Sequence, residues 1–166
     1  MRALFVGRFQ PFHLGHLRVI EKIKEDGFKE VVIVIGSAQY AYTKENPFTA
    51  KERMRMIDAV MKGTGMKYYL IPVNDMDSDL EWISAVEALA PKFDVVYANG
   101  LVKKLFEEAG YEVVEIFIED EKKRISGTKI RKMIVDGDER WRELVPEEVY
   151  KKMLKFNGVE RIKAYS

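Results

Sequence analysis

The chain of 166 residues contains no cysteine and only two histidines. Without cysteine it forms no disulfide, offers no thiol nucleophile and builds no thiolate metal site. An excess of charge of one sign is also missing, because 28 Lys and Arg residues are balanced by 27 Asp and Glu residues and the net charge is +1. Any binding site for an anion must therefore be local, and nothing favours nucleic acid as a partner.

Long apolar runs are absent as well. No run approaches the roughly 20 residues that a membrane-spanning helix needs, and the N-terminal run is too short for a signal peptide. We therefore expect a cytoplasmic protein that does not interact with a membrane. With 47% hydrophobic and 33% charged residues, the composition is typical of a folded protein, and the length predicts a single domain over residues 1–166.

Short β-branched segments alternate with segments of helical period along most of the chain. Strands are predicted at 3–7, 30–36, 67–73, 93–100 and 112–118, and helices at 13–26, from 49, at 79–89 and at 101–110. A further helical region begins at Ser126 and a final helix at Pro146. This alternation predicts an α/β, Rossmann-like, doubly wound parallel sheet of five strands with helices on both faces and a C-terminal helical extension.

Ligands of such sheets bind at the carboxyl ends of the strands, here residues 7–16, 36–49, 72–82 and 98–101. The helix after the second strand has a capping-box pattern, "TAKE", in which Thr49 pairs with Glu52. Arg53 follows on the same helix. A position at the cleft is one alternative for it, and we interpret it as a surface arginine.

The two histidines stand three residues apart in the segment "GRFQPFHLGH", residues 7–16. His13 and His16 would lie on one face of the first turn of a helix, where unpaired amides and the helix dipole favour an anion. Arg8 adds a donor suited to phosphate, and Gly15 allows a flat ring or a sugar close to the backbone. Two solvated histidines or a metal site are the alternatives, although zinc would need a third ligand and no further histidine or cysteine exists. The chain has neither a G-x-G-x-x-G nor a P-loop motif.

A second segment, "ISGTKIR" at residues 125–131, has similar chemistry. Ser126 can cap a helix, Gly127 permits close approach of another backbone, and Thr128 and Arg131 share one face. Such a helix start, preceded by Lys122, Lys123 and Arg124, is suited to binding a chain of phosphates. An ordinary capped helix after a solvated run of charges is the alternative.

The segments "GRFQPFHLGH" and "ISGTKIR" together resemble the signatures of the H-x-G-H nucleotidyltransferase superfamily. Four further segments, "IGSAQ", "NPFTAKER", "EWISAV" and "NGVERIK", are similar to archaeal nicotinamide-nucleotide adenylyltransferases, and the resemblance covers nearly the whole chain. It implies an enzyme of NAD biosynthesis, a single nucleotidyltransferase domain, that transfers AMP from ATP to nicotinamide mononucleotide by direct in-line attack without a covalent intermediate. It also implies a homo-oligomer, with a hexamer as the expected form. No carboxylate cluster is typical of a metal cage, so we expect no protein metal ligands and Mg²⁺ delivered with ATP.

The resemblance further implies roles for particular residues. The catalytic residues would be His13, His16, Arg8 and Arg131, with His16 contacting the α-phosphate. The residues implied to bind ATP are Gly7, Phe9, Gly15, Asn99, Gly100, Ser126 and Thr128. The mononucleotide would be bound by Gly36, Ser37, Asp75 and Trp82. In this interpretation Trp82 is an aromatic platform for the pyridine ring, while an ordinary tryptophan of the core is the alternative.

Several questions stay open at this point. Some relatives carry an arginine at the position of Glu45, and the sequence does not show whether the neighbouring Lys44 replaces it. Other acceptors of the same superfamily are nicotinic acid mononucleotide, phosphopantetheine, FMN, or an alcohol phosphate used with CTP. A non-catalytic nucleotide sensor and a structural subunit are alternatives from other classes of protein. The preferred divalent metal is also open.

Overall fold

The structure, a computed structural model, describes residues 1–117 and 125–166. Two compact units can be distinguished, and neither is continuous in sequence. The first, which we call the sheet unit, comprises residues 1–8, 19–39 and 65–117. The second, the helical unit, comprises residues 9–18, 40–64 and 118–166. That the chain forms one domain over 1–166 stays a prediction.

The sheet unit contains five parallel strands. They are β1 (Arg2–Gly7), β2 (Glu30–Ile35), β3 (Lys67–Pro72), β4 (Val95–Ala98) and β5 (Glu112–Glu115). Their order in the sheet is β3-β2-β1-β4-β5, and every neighbouring pair is parallel. Gly7, Ile35 and Pro72 are in register, so three strands end level with one another. The strand order reverses beside β1, which is where ligands of doubly wound sheets bind. The predicted α/β class is confirmed.

Helices lie on both faces of this sheet. One face packs Leu4, Val32 and Val96 against Ile83 and Phe106, which belong to α3 (Asp79–Leu89) and α4 (Gly100–Glu108). Alternate residues of the same strands are buried on the opposite face. On that face the hydroxyl of Tyr97 donates to Asp26 at 2.7 Å, directly after α1 (Leu14–Glu25).

The helical unit contains the first turn of α1 and most of the remaining helices. These are α2 (Ala50–Met61), α5 (Gly127–Val135), a 3₁₀ helix (Glu139–Leu144), α6 (Glu147–Lys155) and α7 (Gly158–Ala164). The predicted capping box of α2 is confirmed: the Glu52 amide donates to the Thr49 hydroxyl at 3.1 Å, and the Thr49 amide donates to the Glu52 carboxylate at 3.0 Å. Ser126 caps α5 by accepting from the Lys129 amide at 3.0 Å. In the described part of the chain, no helix is both long and apolar enough to cross a bilayer.

Two details of this unit differ from the sequence prediction. The single final helix expected from Pro146 is two helices, α6 and α7, because Asn157 has a left-handed backbone (φ 55°) between them. The prediction of a surface arginine at position 53 is also wrong, since Arg53 is 0% exposed. Its guanidinium donates to the carbonyls of Thr49 and Tyr40 at 3.3 and 3.4 Å. Backbone acceptors supplied by the capped turn and the preceding loop make this burial possible.

Candidate active site

The two histidines form a buried, stacked pair in the helical unit. His13 precedes α1, and its carbonyl accepts from the Leu17 amide at 3.1 Å, so it occupies the N-cap position. The imidazole rings of His13 and His16 stack with centroids 3.7 Å apart and an interplanar angle of 24°. Only 3% of His13 and 8% of His16 is exposed. The spacing of three residues therefore brings both rings to one place.

Backbone amides orient both rings. The amide of His13 donates to Nδ1 of His16 at 3.0 Å, and the amide of Gly15 donates to Nδ1 of His13 at 3.1 Å. A neutral imidazole whose Nδ1 accepts a hydrogen bond carries its proton on Nε2. Each ring is therefore a donor through Nε2–H. The expectation that unpaired amides at this helix start bind an anion is wrong for these two amides, because the imidazoles occupy them.

Burial keeps the pair neutral. It lowers the pKa of His13 to about 4, and burial together with the neighbouring His13 lowers the pKa of His16 well below its usual value. Aromatic rings surround the pair: the centroids of Phe9 and Phe12 lie 4.7 and 5.3 Å from that of His16. At neutral pH both histidines are hydrogen-bond donors without a net charge.

A consequence for stability can be measured directly. Between the ordinary pKa of 6.5 and the folded value of about 4, the unfolded chain binds a proton at His13 that the folded chain does not bind. The contribution of His13 to the free energy of unfolding is therefore complete above pH 6.5 and decreases as the pH falls towards 4. By pH 5 the free energy of unfolding should have fallen by about 2 kcal/mol from His13 alone. Chemical denaturation of the ligand-free protein at pH 7, 6 and 5 measures the loss. His13→Gln should show a shallower dependence, and equal slopes in both proteins would contradict the assignment of a neutral His13.

Arg131 of the second motif contacts the segment of the first motif within the helical unit. Arg131, 8% exposed, donates from Nη1 to the main-chain carbonyl of Gln10 at 2.8 Å and from Nη2 to the Thr128 hydroxyl at 3.3 Å. A Cβ atom on Gly127 would lie 2.8 Å from Arg131 Nη1 and 3.2 Å from the Gln10 oxygen. Glycine is therefore needed at position 127 for the Arg131 guanidinium to contact the Gln10 carbonyl.

A cavity of about 370 Å³ in this unit is lined by Lys44, Glu45, Thr128, Arg131 and Lys132, with Val135, Ile162 and Ser166. Lys44 thus lines the same cavity as two residues of the second motif. The predicted cationic residues Lys122, Lys123 and Arg124 lie outside the described residues. Phe9, Gly15 and Ser126 also belong to the helical unit.

The sheet unit has its own cavity of about 440 Å³ at the carboxyl ends of the strands. All four residues predicted to bind a mononucleotide line this cavity: Gly36, Ser37, Asp75 and Trp82. Gly7, Arg8 and three aliphatic side chains of α4 also belong to its lining. The described lining does not include Asn99 and Gly100, which are exposed just beyond β4. The four residues thus lie together at one cavity, and their roles stay predictions.

Hydrogen bonds fix the polar side of this cavity. The Ser37 hydroxyl donates to both carboxylate oxygens of Asp75 at 3.0 Å. The side-chain amide of Gln39, which sequence reasoning did not single out, pairs with the Asp75 backbone: Nε2 donates to the carbonyl at 3.3 Å, and Oε1 accepts from the amide at 3.0 Å. The Gly36 amide donates to the Gly7 carbonyl at 2.9 Å and is thus already engaged.

Trp82 belongs to the core and to the cavity wall at once. It is half-buried and packs against the apolar core between the sheet and α3 and α4. Its ring meets Phe106 edge-on, with centroids 5.8 Å apart and an interplanar angle of 74°. Because it also lines the cavity, the two interpretations drawn from the sequence do not exclude each other.

Among the described residues there is no group of three or more His, Cys, Asp or Glu side chains that could hold a metal ion. The two motifs instead contribute neutral imidazoles, the Thr128 hydroxyl and the Arg131 guanidinium, and these suit phosphate oxygens. The fold and these groups together define a nucleotidyltransferase-like protein.

Comparison with known proteins agrees with this class. The family model described as cytidylyltransferase-like matches residues 4–133, so the chain belongs to that family. A nicotinamide-nucleotide adenylyltransferase of Methanococcus vannielii is 47% identical over 98% of this chain and 94% of its own length. A protein of the same name from Thermoplasma volcanium is 45% identical over 99% of this chain and 92% of its own length. The resemblance stated from the motifs is thereby confirmed.

A solved structure shows the same fold. The bifunctional NMN adenylyltransferase/ADP ribose pyrophosphatase from Francisella tularensis, complexed with AMP and a Mn ion, matches with a TM-score of 0.76 at 21% identity. The match covers 99% of this chain and 51% of that one. The shared part is therefore the whole of the present chain and about half of the bifunctional protein.

Proposed function

We propose that this chain transfers AMP from ATP to nicotinamide mononucleotide, forming NAD and releasing pyrophosphate. The observation that carries the proposal is the buried His13–His16 pair, held so that both neutral rings donate through Nε2–H. The archaeal relatives named nicotinamide-nucleotide adenylyltransferase support the choice of reaction. Two buried donors oriented by backbone amides suit a phosphate group whose charge increases during reaction.

The reaction needs no general base. An anionic phosphate oxygen of the mononucleotide forms a bond to the α-phosphorus of ATP, while the bond from that phosphorus to the oxygen bridging to the β-phosphate breaks. Pyrophosphate leaves with the bonding electron pair, and no covalent enzyme intermediate forms. Catalysis then consists of alignment and of stabilising the charge on the phosphoryl oxygens.

The helical unit supplies groups for the nucleotide. His16 donates to the α-phosphate oxygens, and His13, Thr128 and Arg131 bind the other phosphates. Neutral imidazoles suit this buried place because a buried imidazolium would carry a desolvation cost before the nucleotide arrives. Lys44, which lines the same cavity as Thr128 and Arg131, supplies the cation that some relatives have as an arginine. A Mg²⁺ ion delivered with ATP would neutralise part of the charge of the triphosphate.

The sheet unit supplies groups for the acceptor. The face of Trp82 stacks on the pyridine ring, and Ser37 and Asp75 contact its carboxamide. Arg8, which lines the same cavity, binds a phosphate of ATP. The shared cavity of these side chains supports this assignment. A cytoplasmic location and a homo-oligomer, with a hexamer expected, stay predictions.

A direct assay tests the proposal. The protein is incubated with MgATP and separately with nicotinamide, nicotinic acid and flavin mononucleotides and with phosphopantetheine, and pyrophosphate and dinucleotide are measured. We expect pyrophosphate and NAD in equal amounts with nicotinamide mononucleotide. A strong preference for another acceptor would show that nicotinamide mononucleotide is not the substrate. ATP binding without any product would indicate a non-catalytic nucleotide sensor.

Trp82→Ala is expected to raise the KM for the mononucleotide by about ten- to hundredfold, because stacking and burial are lost together. The KM for ATP should stay within about twofold. Since Trp82 also contacts Phe106, the melting temperature should fall as well, so kinetics are measured well below it. Trp82→Phe keeps a flat apolar ring and should recover much of the loss. An unchanged mononucleotide KM in Trp82→Ala would remove the platform role.

A further inference from the structure

Gln10 is a buried side chain that the proposed mechanism does not use. Only 3% of it is exposed, and it lies three residues before His13. We propose that Gln10 is a positioning residue for the ATP triphosphate, which it serves by holding Arg131 in place. This inference rests on the proposed function for the identity of the nucleotide.

The side chain of Gln10 is fixed at both polar atoms. Its Nε2 donates to the Phe48 carbonyl at 3.1 Å, and its Oε1 accepts from the Phe48 amide at 2.9 Å. Both bonds are buried, where an unpaired amide or carbonyl is costly. The pairing therefore links the segment before α1 firmly to the segment before α2.

Phe48 is itself a fixed anchor. It is 0% exposed, and its ring meets Phe156 edge-on with centroids 5.6 Å apart. A Cβ atom on Gly158 would lie 2.9 Å from the Phe48 ring, so the start of α7 packs directly on it. Next to it, Arg161 donates to the Pro47 carbonyl at 3.2 Å. The C-terminal helices thus hold the partner of Gln10.

The main chain of Gln10 in turn holds Arg131. Its carbonyl accepts from Nη1 at 2.8 Å, a bond between residues 121 positions apart. The position of this carbonyl depends on the side-chain pairing with Phe48, since both belong to one residue. Losing the pairing frees the carbonyl to move, and the planar guanidinium bonded to it must then tilt. A tilt of a phosphate-binding fork weakens ligand binding more than it disturbs the fold.

The test uses Gln10→Met, which keeps the length of the side chain and removes both hydrogen bonds. We expect the KM for ATP to rise about tenfold, with the mononucleotide KM within about twofold of wild type. Titration calorimetry with ATP alone should show the same weakening. Gln39→Met is a specificity control: it removes an exposed amide pairing, to Asp75, in the cavity proposed for the mononucleotide. Its effect should fall on the mononucleotide KM, and the ATP constant should stay unchanged.

A double-mutant cycle separates positioning from general damage. In an Arg131→Met background, adding Gln10→Met should change ATP binding by less than about twofold, because the group on which Gln10 acts is gone. Additive losses, or equal increases in both KM values for Gln10→Met, would overturn the proposal. If Gln10→Met fails to fold, Gln10→Asn replaces it in the same cycle, since it keeps a neutral amide that is one methylene too short to make both bonds to Phe48. Should wild type bind ATP but form no dinucleotide, the proposed function fails, while the calorimetric cycle still decides the role of Gln10.

Discussion

His16→Ala is expected to lower kcat by roughly 10²–10³-fold, the usual effect of removing one preorganised donor to a transition-state oxyanion. The reason lies in how the ring is held: its Nδ1 accepts from the His13 amide, so the Nε2–H donor is fixed before the nucleotide binds. A donor that needs no reorganisation contributes most when negative charge increases on the α-phosphate. Steady-state kinetics with MgATP and nicotinamide mononucleotide measure the loss. The KM values should change much less than kcat.

A second substitution separates chemistry from packing. His16 stacks on His13 and contacts Phe9 and Phe12, so alanine also leaves a void and should lower the melting temperature. His16→Gln restores an amide N–H donor at a similar distance from the backbone and should recover part of kcat. If kcat per folded molecule of His16→Ala equals that of wild type, the ring has no part in the reaction.

The strands β2 and β4 could be predicted because they are largely buried, whereas the edge strands β3 and β5 contain no fully buried residue. "EVVIVIG" is continuous and β-branched, and the structure places residues 30–35 of it in β2, between β1 and β3. The ends were less predictable: β4 stops at Ala98, and Asn99 already precedes α4. A strand end depends on where the neighbouring strand stops pairing, which local sequence does not encode. The break between α6 and α7 was missed for a related reason, since it depends on the backbone of Asn157.

The site was predictable where spacing alone decides geometry. A separation of three positions between two histidines at a helix start was enough to predict adjacent rings, and strand ends were enough to group Ser37, Asp75 and Trp82. Partners far apart in sequence were not predictable. The Tyr40 carbonyl that accepts from Arg53 lies 13 positions away, and Phe48, which pairs with Gln10, lies 38 positions away. Both contacts depend on tertiary structure, so Arg53 was expected at the surface and no local pattern indicated a role for Gln10.

Arg131→Lys should lower kcat/KM for ATP by about 10–100-fold although the positive charge is kept. Arginine has five N–H donors in one plane. In the structure Nη1 binds the Gln10 carbonyl and Nη2 binds the Thr128 hydroxyl, and these two bonds set the orientation of the plane. Lysine has a single nitrogen and cannot keep both bonds while binding two phosphate oxygens. The loss of one or two hydrogen bonds to a charged group accounts for a decrease in kcat/KM of about 10–100-fold.

Arg140→Lys is a matched control in the same unit. Arg140 makes a two-pronged contact to Asp138 at 2.7 and 2.9 Å, but its side chain is 78% exposed. Exposed pairs of this kind contribute little, so this substitution should leave both kcat and the KM for ATP unchanged. Equal effects of Arg131→Lys and Arg140→Lys on the kinetics would mean that the guanidinium at position 131 does not bind the ATP phosphates.

Gly127→Ala tests the same geometry without touching a charge. The added Cβ would lie 2.8 Å from Arg131 Nη1 and 3.2 Å from the Gln10 oxygen, and the backbone oxygen cannot move as easily as the side chain. The guanidinium is therefore expected to give way, and the loss in kcat/KM for ATP should approach that of Arg131→Lys. Helix propensity favours alanine over glycine by only about 1 kcal/mol, which is less than the loss of the buried bond from Arg131 to Gln10 costs. Weaker ATP binding should therefore come with a modest loss of stability. Normal ATP kinetics in Gly127→Ala would show that the contact of Arg131 with Gln10 is not needed for binding the triphosphate.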